Sequence, residues 1–164
     1  MSKSSIQVAL TVRQLVIGSV SAIPEEWFDV QPGGSNNTIR WNIGHQVTML
    51  NWFLSSAVPL DYRLPDDYNS LFVTGTKPAD WQVTPPSKEA LLEQLSAQFE
   101  SLAKISPESL AKTLNPPFAM GNLAFATAEE VFGFAFIHEA LHLGIISSLA
   151  KQIRFDREME PYFQ

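Results

Sequence analysis

The chain is predicted to be all-α, a four-helix bundle with a long crossover between its second and third helices. Three observations carry that prediction. Four segments place apolar residues at three- and four-residue steps. No stretch alternates apolar and polar residues well enough to build a sheet. One proline-rich stretch, Val58 to Pro86, separates the second helical segment from the third.

The first helix is expected from about Ser5 to Ala22, with Val8, Val12, Leu15, Val16, Ser19 and Ile23 as its apolar stripe and Pro24 helping to end it. The breaker-rich loop Gln31–Asn37 follows. The second helix is expected from Thr38, a plausible N-cap, to about Ala57. Ile43, Val47, Leu50 and Leu54 form its core stripe. Trp41, His45, Thr48 and Trp52 form an adjacent stripe that mixes aromatic and polar groups, so His45 falls on the margin of the core. Within the crossover, Tyr68 to Val73 reads as a short helical turn. A structureless stretch of this length inside a compact domain is usually functional.

The third helix runs from Ser87, an N-cap with Glu89 in the first turn, to about Lys104. Leu91, Leu95, Gln98 and Leu102 mark its stripe. Ser106-Pro107-Glu108 opens a short helix to about Thr113, stopped by Asn115-Pro116-Pro117. The fourth long helix starts at the capping box Thr127-Ala128-Glu129-Glu130 and reaches about Lys151. Val131, Phe134, His138, Leu141, His142, Ile145 and Leu149 share its broad apolar face, so both histidines are expected to point at the core.

With 164 residues, no internal repeat and no strong linker, the chain reads as one domain over 1–164. Hydrophobic residues make up 45% and charged residues 17%, which marks a globular chain. The net charge of −6 and the lack of a basic stripe argue against nucleic acid as a partner. There is no cysteine, so disulfides, Cys-based metal sites and thiolate nucleophiles are excluded, and any thiol chemistry needs an external thiol. No signal-peptide pattern opens the chain, and no uninterrupted apolar run reaches about 18 residues. These absences predict a cytoplasmic protein that does not engage a membrane.

All three histidines sit in helical segments at ligand-compatible spacing. His138 and His142 are four residues apart, hence on one helix face, and His45 lies on another helix. Two imidazoles on one face and a third from a facing helix suit a transition metal with open coordination positions. The competing reading is three polar residues hydrogen-bonded in apolar helices. Candidate outer groups are Asn42, Gln46, Thr48 and Glu139, although one helical step turns Glu139 off the His138 face. Trp41, Trp52, Phe132 and Phe136 are candidate cleft residues for which core packing is the simpler role.

The run His138-Glu139-Ala140-Leu141-His142 also matches the H-E-x-x-H signature of zinc proteases. Its context does not follow. Gly144 falls one place early for a metzincin, no later histidine exists, and Glu158 and Glu160 lie in the last residues of the chain.

A second likeness covers more of the sequence. Asn42-Ile43-Gly44-His45, followed by His138-x-x-x-His142-Leu143-Gly144-Ile145-Ile146, resembles the DinB/YfiT-like superfamily in order and spacing. The resemblance implies an up-down-down-up bundle with His45, His138 and His142 as ligands of one divalent transition metal. It also implies a homodimer formed through helix faces. Some relatives are S-transferases or isomerases using low-molecular-weight thiols such as bacillithiol or mycothiol, and many others have no established activity. It thus implies a small-molecule thiol and an electrophile as partners. Three imidazoles suit Zn, Ni, Fe or Cu better than Mg or Ca without choosing among the four, and Zn or Ni is the expected ion. The contrasting function is a non-enzymatic metal-binding or sensing bundle.

Overall fold

The computed structural model describes residues 2–159. Its element order is α1 (Ser2–Ala22), α2 (Ile39–Ser55), α3 (Tyr68–Phe72), α4 (Lys88–Leu102), α5 (Pro107–Leu110), β1 (Thr113–Met120), β2 (Leu123–Thr127) and α6 (Ala128–Met159), with 3-10 turns at Glu25–Trp27 and Pro78–Asp80. The chain is mostly helical, and α1 and α2 each pack on both α4 and α6.

The helix starts follow local chemistry. Thr38 Oγ1 accepts from Trp41 N at 3.2 Å, and Ser87 Oγ accepts from Ala90 N at the same distance. Each hydroxyl satisfies one amide that the first helical turn leaves without a partner. The capping box is complete: Glu130 N donates to Thr127 Oγ1, while Glu130 Oε2 accepts from Thr127 N at 2.9 Å. At the other end of α1, Lys88 Nζ donates to the carbonyls of Ser21 and Ile23, a cation on orphan helix C-terminal acceptors.

α2 is the central helix. Of its 17 residues, only Asn51, Trp52 and Ser55 are not buried. Ile43, Val47, Leu50 and Leu54 fill the core as their spacing predicts. Arg40 fixes the helix start: its guanidinium makes a two-bond fork with Asp29, both bonds 2.7 Å, and donates to the Pro86 carbonyl at 2.6 Å. That arrangement pins the loop before α2 and the end of the long crossover to the same point.

Three expectations are corrected. The short helix α5 ends at Leu110, and an antiparallel hairpin of β1 and β2 follows where no sheet was expected. Pro116 and Pro117 are tolerated because a two-stranded hairpin has only edge strands, and the register shifts between Thr113 and Phe118. The inward face of α1 is Ala9, Arg13, Val16 and Val20, while Val8 and Leu15 are more than half exposed. On α6, Leu141 and Ile145 point outward, and the buried face includes Val131, Phe132, Ala135, Phe136 and Glu139. Both helices carry apolar residues around most of their circumference, so periodicity alone does not choose the buried side. By length and composition, α1 and α6 also qualify as potential membrane-crossing helices, a test that core helices of water-soluble proteins pass as well.

Candidate metal centre

His45 projects from the middle of α2, and His138 and His142 project from successive turns of α6, which packs along it. One ring nitrogen from each of the three lies within 4.8 Å of the other two. The ring centroids are 5.2 Å apart for His45 and His138, 4.6 Å for His45 and His142, and 4.5 Å for His138 and His142. No aspartate or glutamate among the described residues joins this group.

Two of the rings have their tautomers set by a partner. His45 Nδ1 lies 2.6 Å from the Phe72 carbonyl, which can only accept, so Nδ1 carries the proton and Nε2 keeps its lone pair. His142 Nδ1 lies 2.8 Å from Asn42 Oδ1. The same amide donates from Nδ2 to the Thr38 carbonyl at 2.8 Å, which fixes its orientation and makes His142 Nδ1 the donor. Hydrogen bonding of the remote ring nitrogen to a carbonyl is the usual outer support of a metal-ligating histidine. His138 makes no ring hydrogen bond among the described residues and packs edge-on against Phe53 at 5.3 Å.

The N-I-G-H run has a physical reading at each polar or small position. Asn42 orients His142, and His45 belongs to the triad. Gly44 lets α2 reach Phe72: a Cβ at that position would lie 2.5 Å from the Phe72 ring. Phe72 is fully buried and pinned edge-on by Tyr68 and Trp81, so it has little room to withdraw. The crossover thus supplies the carbonyl that holds His45. Trp41 stacks on the His45 ring at 4.5 Å with planes 15° apart, and its indole N–H is held by Thr76 Oγ1 at 2.9 Å.

All three imidazoles are kept neutral. Burial pushes His138 down to about 4 and His142 down to about 3, with smaller repulsive contributions from the neighbouring histidines. Burial also lowers His45, against the opposing effect of the Phe72 carbonyl. Neutral, converging imidazoles are the form in which histidine binds metal, and two of these three are also tethered through Nδ1. The donor set therefore fits a divalent transition ion, and the three histidines are positioned to hold one.

The other candidates divide. Asn42 is the only one of the four outer groups whose side chain contacts a ligand-candidate ring through a hydrogen bond. Thr48 Oγ1 bonds back to the Gly44 carbonyl at 2.9 Å, and Gln46 Nε2 donates to the Glu139 carbonyl at 2.8 Å. The Glu139 carboxylate is buried against Arg13 of α1, with Oε1 2.9 Å from Nε, and so is directed away from the imidazoles. Phe132 and Phe136 are core residues, whereas Trp52 is 43% exposed. The Phe72 carbonyl had no signature in the sequence beyond the glycine that admits its ring.

The centre opens to a cleft of about 500 Å³ walled by Asn36, Asn37, Trp41, Thr74, Thr76 and Lys77 above His45 and His138. A smaller recess of about 280 Å³ reaches His142 beside Asn42. With this geometry in place, comparison with protein families finds a match to the DinB superfamily over residues 10–146, most of the chain. The chain belongs to the DinB superfamily. The matched span contains both the Asn42–His45 run and the His138–Ile146 run of this DinB chain. Comparison with curated proteins finds no match to it.

Proposed function

We propose that this DinB-superfamily protein is a metal-dependent S-transferase. In this reading His45, His138 and His142 hold one divalent transition ion, zinc or nickel, and a small-molecule thiol is transferred to an electrophile in the adjoining cleft. The observation that carries the reading is the convergence of three neutral imidazoles, two with their Nδ1–H groups tethered, at the floor of a cleft in a chain without cysteine. A divalent ion bound there would supply Lewis acidity, lowering the pKa of a thiol and raising its thiolate fraction at neutral pH.

The chain's own residues do the positioning. The Phe72 carbonyl and Asn42 fix the His45 and His142 rings. The Trp41 indole covers His45 and keeps water off that face. In the overall reaction the S–H proton is released and sulfur bonds to the electrophilic carbon. The leaving group departs with the electron pair of the broken bond.

The same reading takes α1, α2, α4 and α6 as an up-down-down-up bundle that forms a homodimer. Val8 and Leu15 of α1 and Ile137 and Leu141 of α6 are each more than half exposed. An apolar groove of about 460 Å³ runs between the two helices and contains none of the histidines. Such a surface suits a partner copy better than water.

The test uses tag-free protein loaded with cobalt. Addition of a small thiol should perturb the visible spectrum, and the mixture should consume alkylating electrophiles faster than a folded His45→Ala variant does. Metal binding with no spectral response to any thiol and no turnover would replace the transferase reading with a non-catalytic binding module.

A further inference from the structure

A belt of buried polar contacts links all four long helices beside the histidines. Gln98 of α4 donates to the Val47 carbonyl of α2 at 2.8 Å. Gln46 of α2 donates to the Glu139 carbonyl of α6 at 2.8 Å. The Glu139 side chain meets Arg13 of α1, Nε to Oε1, at 2.9 Å, with side-chain exposures of 2% and 0%. Two of these links stand one residue from a histidine, at Gln46 beside His45 and at Glu139 beside His138.

The ion pair is a poor device for stability alone. Its contact lies off the line of a good hydrogen bond, and Arg13 Nη1 and Nη2 and Glu139 Oε2 have no hydrogen-bond partner among the described residues. Removing two charges from water costs more than such an attraction returns, and apolar replacements of buried pairs are often neutral or stabilising. The best-attested use of such groups is to fix register.

We infer that Arg13 and Glu139 are positioning residues for the three-histidine centre, setting the rotation of α6 about its own axis. Glu139 projects one helical step, about 100°, from His138, so its contact with α1 and the histidines' contact with α2 fix the helix from two sides. A side chain reaches about 6 Å from the helix axis, so a roll of about 10° moves an imidazole by about 1 Å. A metal centre needs its ligands held within about 0.5 Å. The buried apolar side chains of α6 also resist such a roll through packing, but their attraction is non-directional. The Arg13–Glu139 contact adds a tie at one defined azimuth of the helix.

The experiment compares wild type with Arg13→Met/Glu139→Met, which removes both charges together and leaves the Gln46 bond to the Glu139 backbone in place. The inference rests on the metal reading above, so one arm is metal-free. Histidine ring NMR of the apo protein should show His142 fixed as the Nδ1–H tautomer in wild type and averaged in the double variant. In the second arm zinc affinity should fall by about tenfold or more in the double variant, as loss of outer support does elsewhere. Arg13→Lys, which keeps a cation facing Glu139, should retain most of it. Unchanged ring signals and zinc affinity within about twofold of wild type in a folded double variant would overturn the inference. Wild type that takes no zinc would refute the metal reading, and the ring signals alone would then decide this one. If the apolar pair does not fold, Glu139→Asp, which keeps the charges but shortens the reach, carries the same two outcomes.

Discussion

Asn42 and His142 lie 100 positions apart in the chain, yet Oδ1 of one and Nδ1 of the other are 2.8 Å apart. The bond joins α2 to α6 and points the His142 lone pair at His45 and His138. Replacing Asn42 with Ala should leave the helical fold intact and weaken zinc binding by about 10- to 100-fold. Competition against a chromophoric chelator measures it. Affinity equal to wild type would mean that the His142 ring is oriented by packing alone.

Gly44→Ala opposes two effects. Alanine favours a helix interior over glycine by about 1 kcal/mol. The added methyl meets the Phe72 ring at 2.5 Å, and overpacking a rigid core typically costs about 1–3 kcal/mol. The clash should win, because Phe72 is fully buried and wedged by Tyr68 and Trp81. Urea unfolding should show a net loss of stability, and zinc affinity should fall too because the Phe72 carbonyl holds His45. A stability gain would mean that the crossover yields easily.

Acid should destabilise the metal-free protein through its histidines. Their folded pKa values lie below the ordinary 6.5, at about 4 for His138 and about 3 for His142. Between those values and 6.5 the unfolded chain binds protons that the native state does not, so stability falls as pH drops through this window. Urea midpoints of apo protein from pH 7 to pH 4 should decline, and His142→Ala should flatten the decline. A histidine-independent slope would assign it to carboxylates instead.

The exposed apolar face predicts a change of assembly. Leu141→Asp places a charge on a residue that is 64% exposed in the protomer, so it should not disturb the fold. In sedimentation, wild type should be dimeric and the variant monomeric with unchanged helicity. A wild type that stays monomeric at high concentration would remove the dimer from the proposal.

What was legible in the sequence was local or periodic. Thr38, Ser87 and Thr127 announce helix starts because a cap is made within one turn. The α4 stripe, including Gln98, is buried as its spacing predicts. Long-range choices were less legible. Arg13 looks like a surface residue until Glu139 of α6 is placed against it, and it is buried on the same face of α1 as Ala9, Val16 and Val20. Pro116 and Pro117 read as breakers and hid β1, although Gly121-Asn122 between Met120 and Leu123 is a two-residue hairpin turn, with Gly121 at φ +57°. The histidine triad was legible because residue type carries its chemistry. The Phe72 carbonyl was not, because every residue has one.

The most direct measurement is anomalous diffraction at the zinc edge from crystals of tag-free protein grown with one equivalent of zinc. The expected result is one ion per chain, bonded to His45, His138 and His142 at about 2.0–2.1 Å, and none in crystals of His45→Ala grown the same way. Zinc absent from the triad in wild type, or bound elsewhere and retained in His45→Ala, would contradict a three-histidine metal centre.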